Sequence, residues 1–352
     1  MPSSAKPTVK TPVLGAWLEG WRRVWKAPAL TASLLVITLL AALPLGVALG
    51  GMIREQLGTS DLANKPAWNW DAGWAAEFAA QAQGLGRTFT HEIIGFGGTL
   101  KILSDILDAQ TINPTLIGAA VAYGALWLFL TGGILDRLAR GRVVRAAGFF
   151  AASGAYFVRL IRLSVVMLAS YWVLFRYLHP FLFTRVYDHY TRNLTSEPTG
   201  FGIRIGLYLL FGLMLFSVNL VFDFAKVRLV VEDRRSVVSA LGASMRFLRR
   251  RPLRAFGLYL LNGLGFLMVL RLWFDAAPQA WESVTWAFFV TQVYLLVRIW
   301  LRLVFMASEV AFFQGELAHA GYTARPPHVW PNSAAAEAIE NISQHRNEAM
   351  RQ

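Results

Sequence analysis

Two rows of polar side chains lie inside otherwise apolar stretches, and their spacing is typical of a binding site within a helical membrane protein. The first row has steps of seven, four and seven residues along one helical face and consists of Thr291, Arg298, Arg302 and Glu309. The second row has steps of four and three residues and consists of Asn219, Asp223 and Lys226. Ionisable groups within apolar helices are costly, so such rows are functional candidates by default.

The predicted depths of the two rows bring them together. At a rise of about 1.5 Å per residue, Arg298 and Arg302 lie about 21 Å and about 27 Å below the outer surface. On the same scale Asn219 and Asp223 lie at about 24 Å and about 30 Å. One interpretation is a polar cavity open to the cytoplasm, whose arginines bind an anion or a lipid phosphate. The other is a structural Asp223–Arg302 ion pair, with the arginines extending to the inner interface.

Other chemistries find little support in the residue patterns. His91 and Glu92 begin like the zinc motif HExxH, but Gly95 stands where the second histidine would be. The chain has no cysteine, which excludes disulfides and thiolate metal sites. No nucleophile pairs with a base at one predicted depth. The sequence therefore predicts a protein that is not an enzyme and needs no cofactor or metal.

Composition predicts an all-α polytopic membrane protein. Of the 352 residues, 55% are hydrophobic and only 16% are charged, and the mean hydropathy is +0.44. The apolar residues form blocks of about 20, the length that crosses a hydrocarbon core. Six transmembrane helices are expected at about 30–52, 114–135, 163–183, 203–224, 255–274 and 284–306. They belong to one membrane domain at 13–320, between a disordered N-terminus at 1–12 and a cytoplasmic tail at 321–352.

Charge distribution predicts the orientation. The N-terminus and the second and fourth connections together carry 20 basic residues, against 6 in the other three connections. The positive-inside rule therefore places both termini in the cytoplasm of a bacterial inner membrane, and the segment 54–113 outside it. The same rule accounts for the net charge of +13, so no nucleic-acid partner is expected.

A short repeat precedes the odd-numbered spans. LGAWLEGWRR at 14–23 matches LGASMRFLRR at 241–250 in register, and AASGAYFVRLIR at 151–162 is a looser third copy. The pattern predicts three hairpins, each preceded by a cytoplasmic amphipathic helix that lies in the interface. The residues expected to contact anionic lipid are Trp17, Trp21, Arg22, Arg23, Trp25, Arg246, Arg249 and Arg250. We also expect Gly118–Ala120 and Gly132–Gly133 to permit close helix contact, and Asn262 to bond to another helix.

Three stretches carry a resemblance that extends over nearly the whole chain: FDFAKVRLVVEDRRS at 222–236, EIIGFGGTL at 92–100 and GGILDR at 132–137. In these the chain resembles a group of uncharacterised bacterial six-span membrane proteins. More distantly, its layout is similar to the membrane domain joined to some glycerophosphodiester phosphodiesterases. The chain has no room for the phosphodiesterase barrel, so the resemblance implies no catalytic residue.

The sequence thus leads to two functional hypotheses. The first is a non-catalytic scaffold or accessory subunit that binds partner proteins or anionic lipid through a basic cytoplasmic face, as part of a complex or a homo-oligomer. The alternative is a small transporter or channel with an anion- or lipid-phosphate-binding cavity at Arg298, Arg302 and Asp223. A lipid-modifying membrane enzyme is a weaker third hypothesis.

Overall fold

The computed structural model describes residues 12–58, 72–90, 96–110, 114–141, 144–278 and 283–317. Every regular element within these ranges is helical, which confirms the predicted all-α class. The predicted disordered N-terminus, apart from Pro12, and the predicted cytoplasmic tail lie outside the described residues.

Six helical stretches in the described part of the chain are long and apolar enough to cross a membrane, so the protein is a multi-pass membrane protein by length and hydropathy. Each predicted span overlaps one of them. The helices that carry these stretches are α2 (Pro28–Leu57), α5 (Pro114–Arg140), α6 (Ala146–Val173), α8 (Glu197–Val231), α10 (Pro252–Ala276) and α11 (Val284–Glu316). Two further helices, α1 (Val13–Trp25) and α9 (Val237–Arg250), are shorter and amphipathic.

The segment between α2 and α5 contains two short helices, α3 (Ala72–Gln81) and α4 (Gly97–Leu107). Asp108 at the end of α4 holds this segment against α8. Its carboxylate accepts hydrogen bonds from the Tyr208 hydroxyl at 2.5 Å and from Arg204 at 3.4 Å. The Tyr208 hydroxyl is the main reason that the pKa of Asp108 is lowered.

The helix α6 continues without a break through two π-helical segments into α7 (Tyr187–Thr191). The resulting stretch, Ala146–Thr191, has 46 residues and is about 69 Å long, more than twice the hydrocarbon thickness. The segment at 151–162, expected as an amphipathic helix of its own, is instead continuous with the third span. The physical reason is close packing on α5, where a Cβ at Gly133 would lie 2.5 Å from Ser153 Oγ.

The helices contact one another in a cyclic order. We name α1, residues 146–162 of α6, and α9 the lead-in helices, and α5, α8 and α11 the exit helices of the three hairpins. The lead-in part of α6 packs on α5, α9 packs on α8, and α1 packs on α11. Each lead-in helix thus covers the exit helix of the preceding hairpin, and α1 closes the cycle on the last one.

Small side chains make these contacts close. A Cβ at Gly20 of α1 would lie 2.7 Å from the backbone nitrogen of Ser308 in α11. In the contact between α9 and α8, the Ser244 hydroxyl donates to the Val221 carbonyl at 2.9 Å. The small residues expected to permit close contact do so at Gly133, whereas Gly118 has nothing within 4 Å of an added Cβ. The expectation is therefore confirmed for Gly133 and wrong for Gly118, because Gly118 lies at the end of α5 that no lead-in helix covers.

The repeat at 14–23 and 241–250 has a structural counterpart in burial. Ala16 and Ala243, which align, are 0% and 4% exposed, and Gly20 and Phe247, which also align, are both buried. The same face of α1 and α9 is therefore the packed face. The repeat therefore reflects a packing requirement shared by the two helices.

The core is concentrated at one end of the bundle, which holds α1, α9 and the C-terminal halves of the exit helices. We name it the basic end. The buried residues of α11 begin at Ile299, and in α8 residues 220–231 are mostly buried, whereas 201–219 are mostly not. The opposite halves of these helices expose apolar side chains such as Leu209 and Phe288, as expected for lipid contact.

The closing contact gives a first prediction. Gly20→Ala places a methyl group against the α11 backbone, so we expect the free energy of unfolding to fall by about 1–3 kcal/mol. The measurement is the midpoint of unfolding of the purified protein in a denaturing detergent titration. Gly46→Ala on α2 is the matched control, because nothing lies within 4 Å of its added Cβ. Equal midpoints for the two variants would contradict the closing role of Gly20.

Candidate functional site

A cavity of about 310 Å³ lies between the three exit helices and α10. Five of its eleven lining residues are charged, and they are Asp223, Lys226, Arg298, Arg302 and Glu309. These are five of the six residues of the predicted intramembrane polar cluster. The structure therefore brings both rows of polar side chains to one space, with α8 supplying one row and α11 the other.

Asp223 is held by two neighbours. The Lys226 ammonium donates to Oδ1 at 2.7 Å, and the Tyr259 hydroxyl of α10 donates to Oδ2 at 2.9 Å. The alternative Asp223–Arg302 ion pair is not formed in the described residues. Lys226 lies three positions along the same helix and reaches the carboxylate locally, without depending on the placement of a second helix.

Arg302 lies over an aromatic ring instead. Its guanidinium carbon is 3.9 Å from the centroid of the Trp127 ring on α5, a cation–π contact. Among the residues that the structure describes, neither Arg298 nor Arg302 has a carboxylate within ion-pair distance. Both side chains are exposed at the cavity lining. The cavity thus contains two arginines whose charges no acidic partner neutralises directly.

Asn219 and Thr291 belong to the predicted rows but do not line the cavity. Asn219 accepts a hydrogen bond from the Tyr171 hydroxyl at 2.5 Å and donates to the Leu215 carbonyl at 3.0 Å, so it joins α8 to α6. The Thr291 hydroxyl donates to the Ala287 carbonyl one turn earlier. Both residues satisfy their polar groups within or between helices.

Glu309 is the most enclosed charged residue of the lining, with 3% of its surface exposed. Its Oε1 atom is buried and accepts no hydrogen bond from the part of the chain that the structure describes. Beside it, Asn262 of α10 donates to the Ser308 hydroxyl at 2.8 Å. This bond confirms the prediction that Asn262 joins two helices.

No family model, curated protein or solved structure matches this chain. The resemblance to uncharacterised bacterial six-span proteins therefore stays a prediction. What the structure supplies is the coarser statement of six candidate membrane-spanning helices.

The predicted lipid-contact residues of α1 fall into two groups. Trp21 packs edge-on against Trp300 of α11, with ring centroids 4.3 Å apart, whereas Trp25 is 78% exposed. Arg23 donates to the Leu138 carbonyl at 3.1 Å and to Gln314 at 2.9 Å, so it ties α1 to α5 and α11. Arg22 is exposed and pairs with Glu19 on its own helix, while Trp17 is half-buried against Trp21.

On α9 the basic side chains point outward. The exposed residues are Arg246, Arg249 and Arg250, all named by the sequence as lipid contacts. The neighbouring Arg251 and Arg254 instead form ion pairs with Glu316 at the end of α11. The α9 surface therefore presents three exposed arginines at the basic end that pair with no acidic residue among those the structure describes.

Sequence reasoning missed the two aromatic residues that set the geometry of the cavity. Tyr259 holds Asp223, and Trp127 holds Arg302. The signal available for Tyr259 was its position one turn before Asn262 on the same helix, which marks a polar stripe on α10. Trp127 had no such signal, because a tryptophan in an apolar span fits lipid contact equally well.

The Asp223–Lys226 pair gives a second prediction. Lys226→Met leaves the carboxylate with only the Tyr259 hydroxyl, so we expect the free energy of unfolding to fall by up to about 3 kcal/mol. Adding Asp223→Asn should recover most of this loss, because the uncompensated charge is removed. The detergent titration described above measures both variants.

The control for this pair is Lys101→Met on α4, whose partner Asp105 is exposed. Removing the Lys101 ammonium group should lower the free energy of unfolding by less than about 1 kcal/mol. A double variant no more stable than Lys226→Met alone would show that the carboxylate charge is not what destabilises the single variant.

Proposed function

We propose that this chain is a small transporter or channel that binds an anion or a lipid phosphate in the cavity between α5, α8, α10 and α11. Arg298 and Arg302 are the binding residues. The observation that carries the proposal is that both arginines line a cavity of about 310 Å³ without a carboxylate partner, while Asp223 is already paired.

The orientation of Arg302 supports the binding of an oxyanion. A guanidinium group has five N–H donors in one plane, suited to two-point contact with phosphate or sulfate oxygens. The guanidinium carbon lies 3.9 Å from the centroid of the Trp127 ring, a cation–π contact that holds the side chain at the cavity lining. The ring also restricts the motion of the side chain, which lowers the entropy lost when a ligand binds.

The electrostatics of the lining favour negative charge. Lys226 neutralises Asp223 directly, so two arginines remain against the single unpaired carboxyl group of Glu309. The cavity volume of about 310 Å³ is at the small end of the range of ligand pockets, sufficient for an inorganic oxyanion or a lipid headgroup. The acyl chains of a lipid would remain outside a cavity of this size.

A third prediction tests the two arginines. Arg298→Gln and Arg302→Gln should each weaken anion binding about ten- to a hundredfold, the equivalent of one charge-assisted hydrogen-bonding contact of about 1.5–3 kcal/mol. Binding to the full chain in nanodiscs is measured by calorimetry with sulfate, with short-chain phosphatidylglycerol and with short-chain phosphatidylcholine. Uptake of the bound anion into proteoliposomes tests transport, and both variants should reduce it.

The three probes separate the ligand sources. Sulfate binding identifies a free anion, and binding of phosphatidylglycerol alone identifies a lipid headgroup. Arg271→Gln is the control, because Arg271 is exposed and paired with Asp275 away from the cavity. The proposal fails if the wild type binds neither anionic probe, or if both cavity variants keep wild-type affinity.

A second candidate function is a non-catalytic scaffold or accessory subunit that uses the basic end to bind anionic lipid or a partner protein. The three outward arginines of α9, Arg246, Arg249 and Arg250, support it. We place this end in the cytoplasm of a bacterial inner membrane, since basic residues concentrate in the connections there. Anionic headgroups of the cytoplasmic leaflet would then lie against α9.

A fourth prediction tests this surface. The triple variant Arg246→Gln/Arg249→Gln/Arg250→Gln should lower the preference for phosphatidylglycerol over phosphatidylcholine on the order of a hundredfold, at about 1 kcal/mol per basic residue. Native mass spectrometry of the lipid-bound protein measures that preference. The matched control neutralises three exposed arginines near the other end, Arg176, Arg185 and Arg192. An equal loss in the control would show that total charge, and not the α9 surface, selects the lipid.

A further inference from the structure

Glu309 has no hydrogen-bond donor for one of its oxygens, although it lies in a cavity that contains three cations. The residue is 3% exposed, and its buried Oε1 accepts no hydrogen bond from the described residues. Buried carboxylates in proteins are normally paired or hydrogen-bonded, because an uncompensated buried charge is unstable. Neither the ion pairs of the basic end nor the proposed anion site accounts for this group.

Of the ionisable groups around Glu309, Asp223, Lys226 and Tyr259 bond to one another, whereas the two arginines have no carboxylate partner among the described residues. On α8, Asp223 and Lys226 pair with each other, and Tyr259 of α10 donates to Asp223. On α11 itself, Arg298 and Arg302 are unpaired, and Arg302 lies seven residues, or about 10 Å of helix rise, from Glu309. The polar residue that α5 adds to the lining is the neutral Thr131, and α1 approaches at Gly20, against the adjacent Ser308.

Charge balance links this carboxyl group to the anion. With all five groups ionised, the lining has one net positive charge. A bound dianion would reverse that sign and increase the negative charge around Glu309. One proton added to Glu309 restores neutrality. It also converts a buried carboxylate without a donor into an uncharged carboxyl group.

We propose that the cavity binds its anion together with a proton, and that Glu309 is the proton-binding residue. The proton comes from a hydronium ion of the bathing solution, which leaves as water when the carboxyl O–H bond forms. The inference rests on the proposed anion site and adds a second ligand to it. Proton and anion then favour each other's binding, since each is stabilised by the charge of the other.

The test measures sulfate affinity over a series of pH values, with the full chain in nanodiscs. Sulfate keeps its charge throughout, so any pH dependence belongs to the protein. Wild-type affinity should be highest in acid and fall up to about tenfold per pH unit as the pH rises through the titration of Glu309. Glu309→Gln resembles the protonated form, so its affinity should stay near the acidic limit at every pH.

The number of protons taken up when sulfate binds tests the same proposal without a variant. Calorimetry of the wild type in two buffers of different ionisation enthalpy should show uptake of about one proton per sulfate on the alkaline side of the titration. Where phosphatidylglycerol is the only anionic probe that binds, the slopes and proton counts are measured with it. The proton count tests the proposal even if Glu309→Gln does not fold.

Each contrary outcome is distinct. A wild type that binds sulfate with no pH slope and no proton uptake overturns the proton site and leaves the anion site standing. A slope that persists in Glu309→Gln but disappears in Asp223→Asn assigns the proton to Asp223 and also overturns the inference. A wild type that binds neither anionic probe overturns the proposed function and the proton site together.

Discussion

The close contact of α1 with α11 at Gly20 and Ser308 is the constraint on which the rest of the bundle depends. Two equivalent contacts, of α6 on α5 and of α9 on α8, follow the chain locally, but this one joins its two ends. Because neither Gly20 nor Ser308 has a large side chain, the two helix backbones approach closely and make many van der Waals contacts. Once the cycle closes, the three exit helices face one another, and the polar side chains they carry meet in one cavity.

The length of α11 explains how the bundle tolerates charged side chains in the cavity. From its first residue, α11 extends about 50 Å, and Glu309 lies about 38 Å along it, beyond a hydrocarbon core of about 30 Å. An ordinary tilt of about 20° shortens these distances by only a few ångströms. The deeper part of the cavity is therefore surrounded by the packed helices of the basic end and not by acyl chains. Charged groups there avoid the largest part of the membrane penalty.

The sequence was sufficient for properties that depend on one helix at a time. Hydropathy located all six spans, and steps of four and seven residues placed Arg298, Arg302 and Glu309 on one face of α11. Properties that depend on two helices were harder to predict. The sequence left an Asp223–Arg302 ion pair open as one of two interpretations, because both residues are charged and similar in depth. In the structure Lys226 pairs with Asp223, and Trp127 contacts the guanidinium of Arg302. The continuity of α6 was missed for the same kind of reason. A basic amphipathic pattern indicates an interface, but the small residues at Gly133 and Ser153 allow the helix to pack directly on α5.

The polar groups of the cavity break the repeat that builds it. All three exit helices are covered by a lead-in helix in the same way. Their polar contributions to the cavity lining nevertheless differ. The helix α5 contributes the neutral Thr131, α8 contributes Asp223 and Lys226, which pair with each other, and α11 contributes two arginines and a glutamate. A purely structural requirement for polar groups would favour equivalent residues at equivalent positions, since the packing is equivalent. The charged lining residues that have no ion-pair partner among the described residues instead lie on α11, the helix against which α1 packs. Repetition therefore explains the architecture of the bundle, and the proposed anion and proton would account for the departure from repetition at Arg298, Arg302 and Glu309.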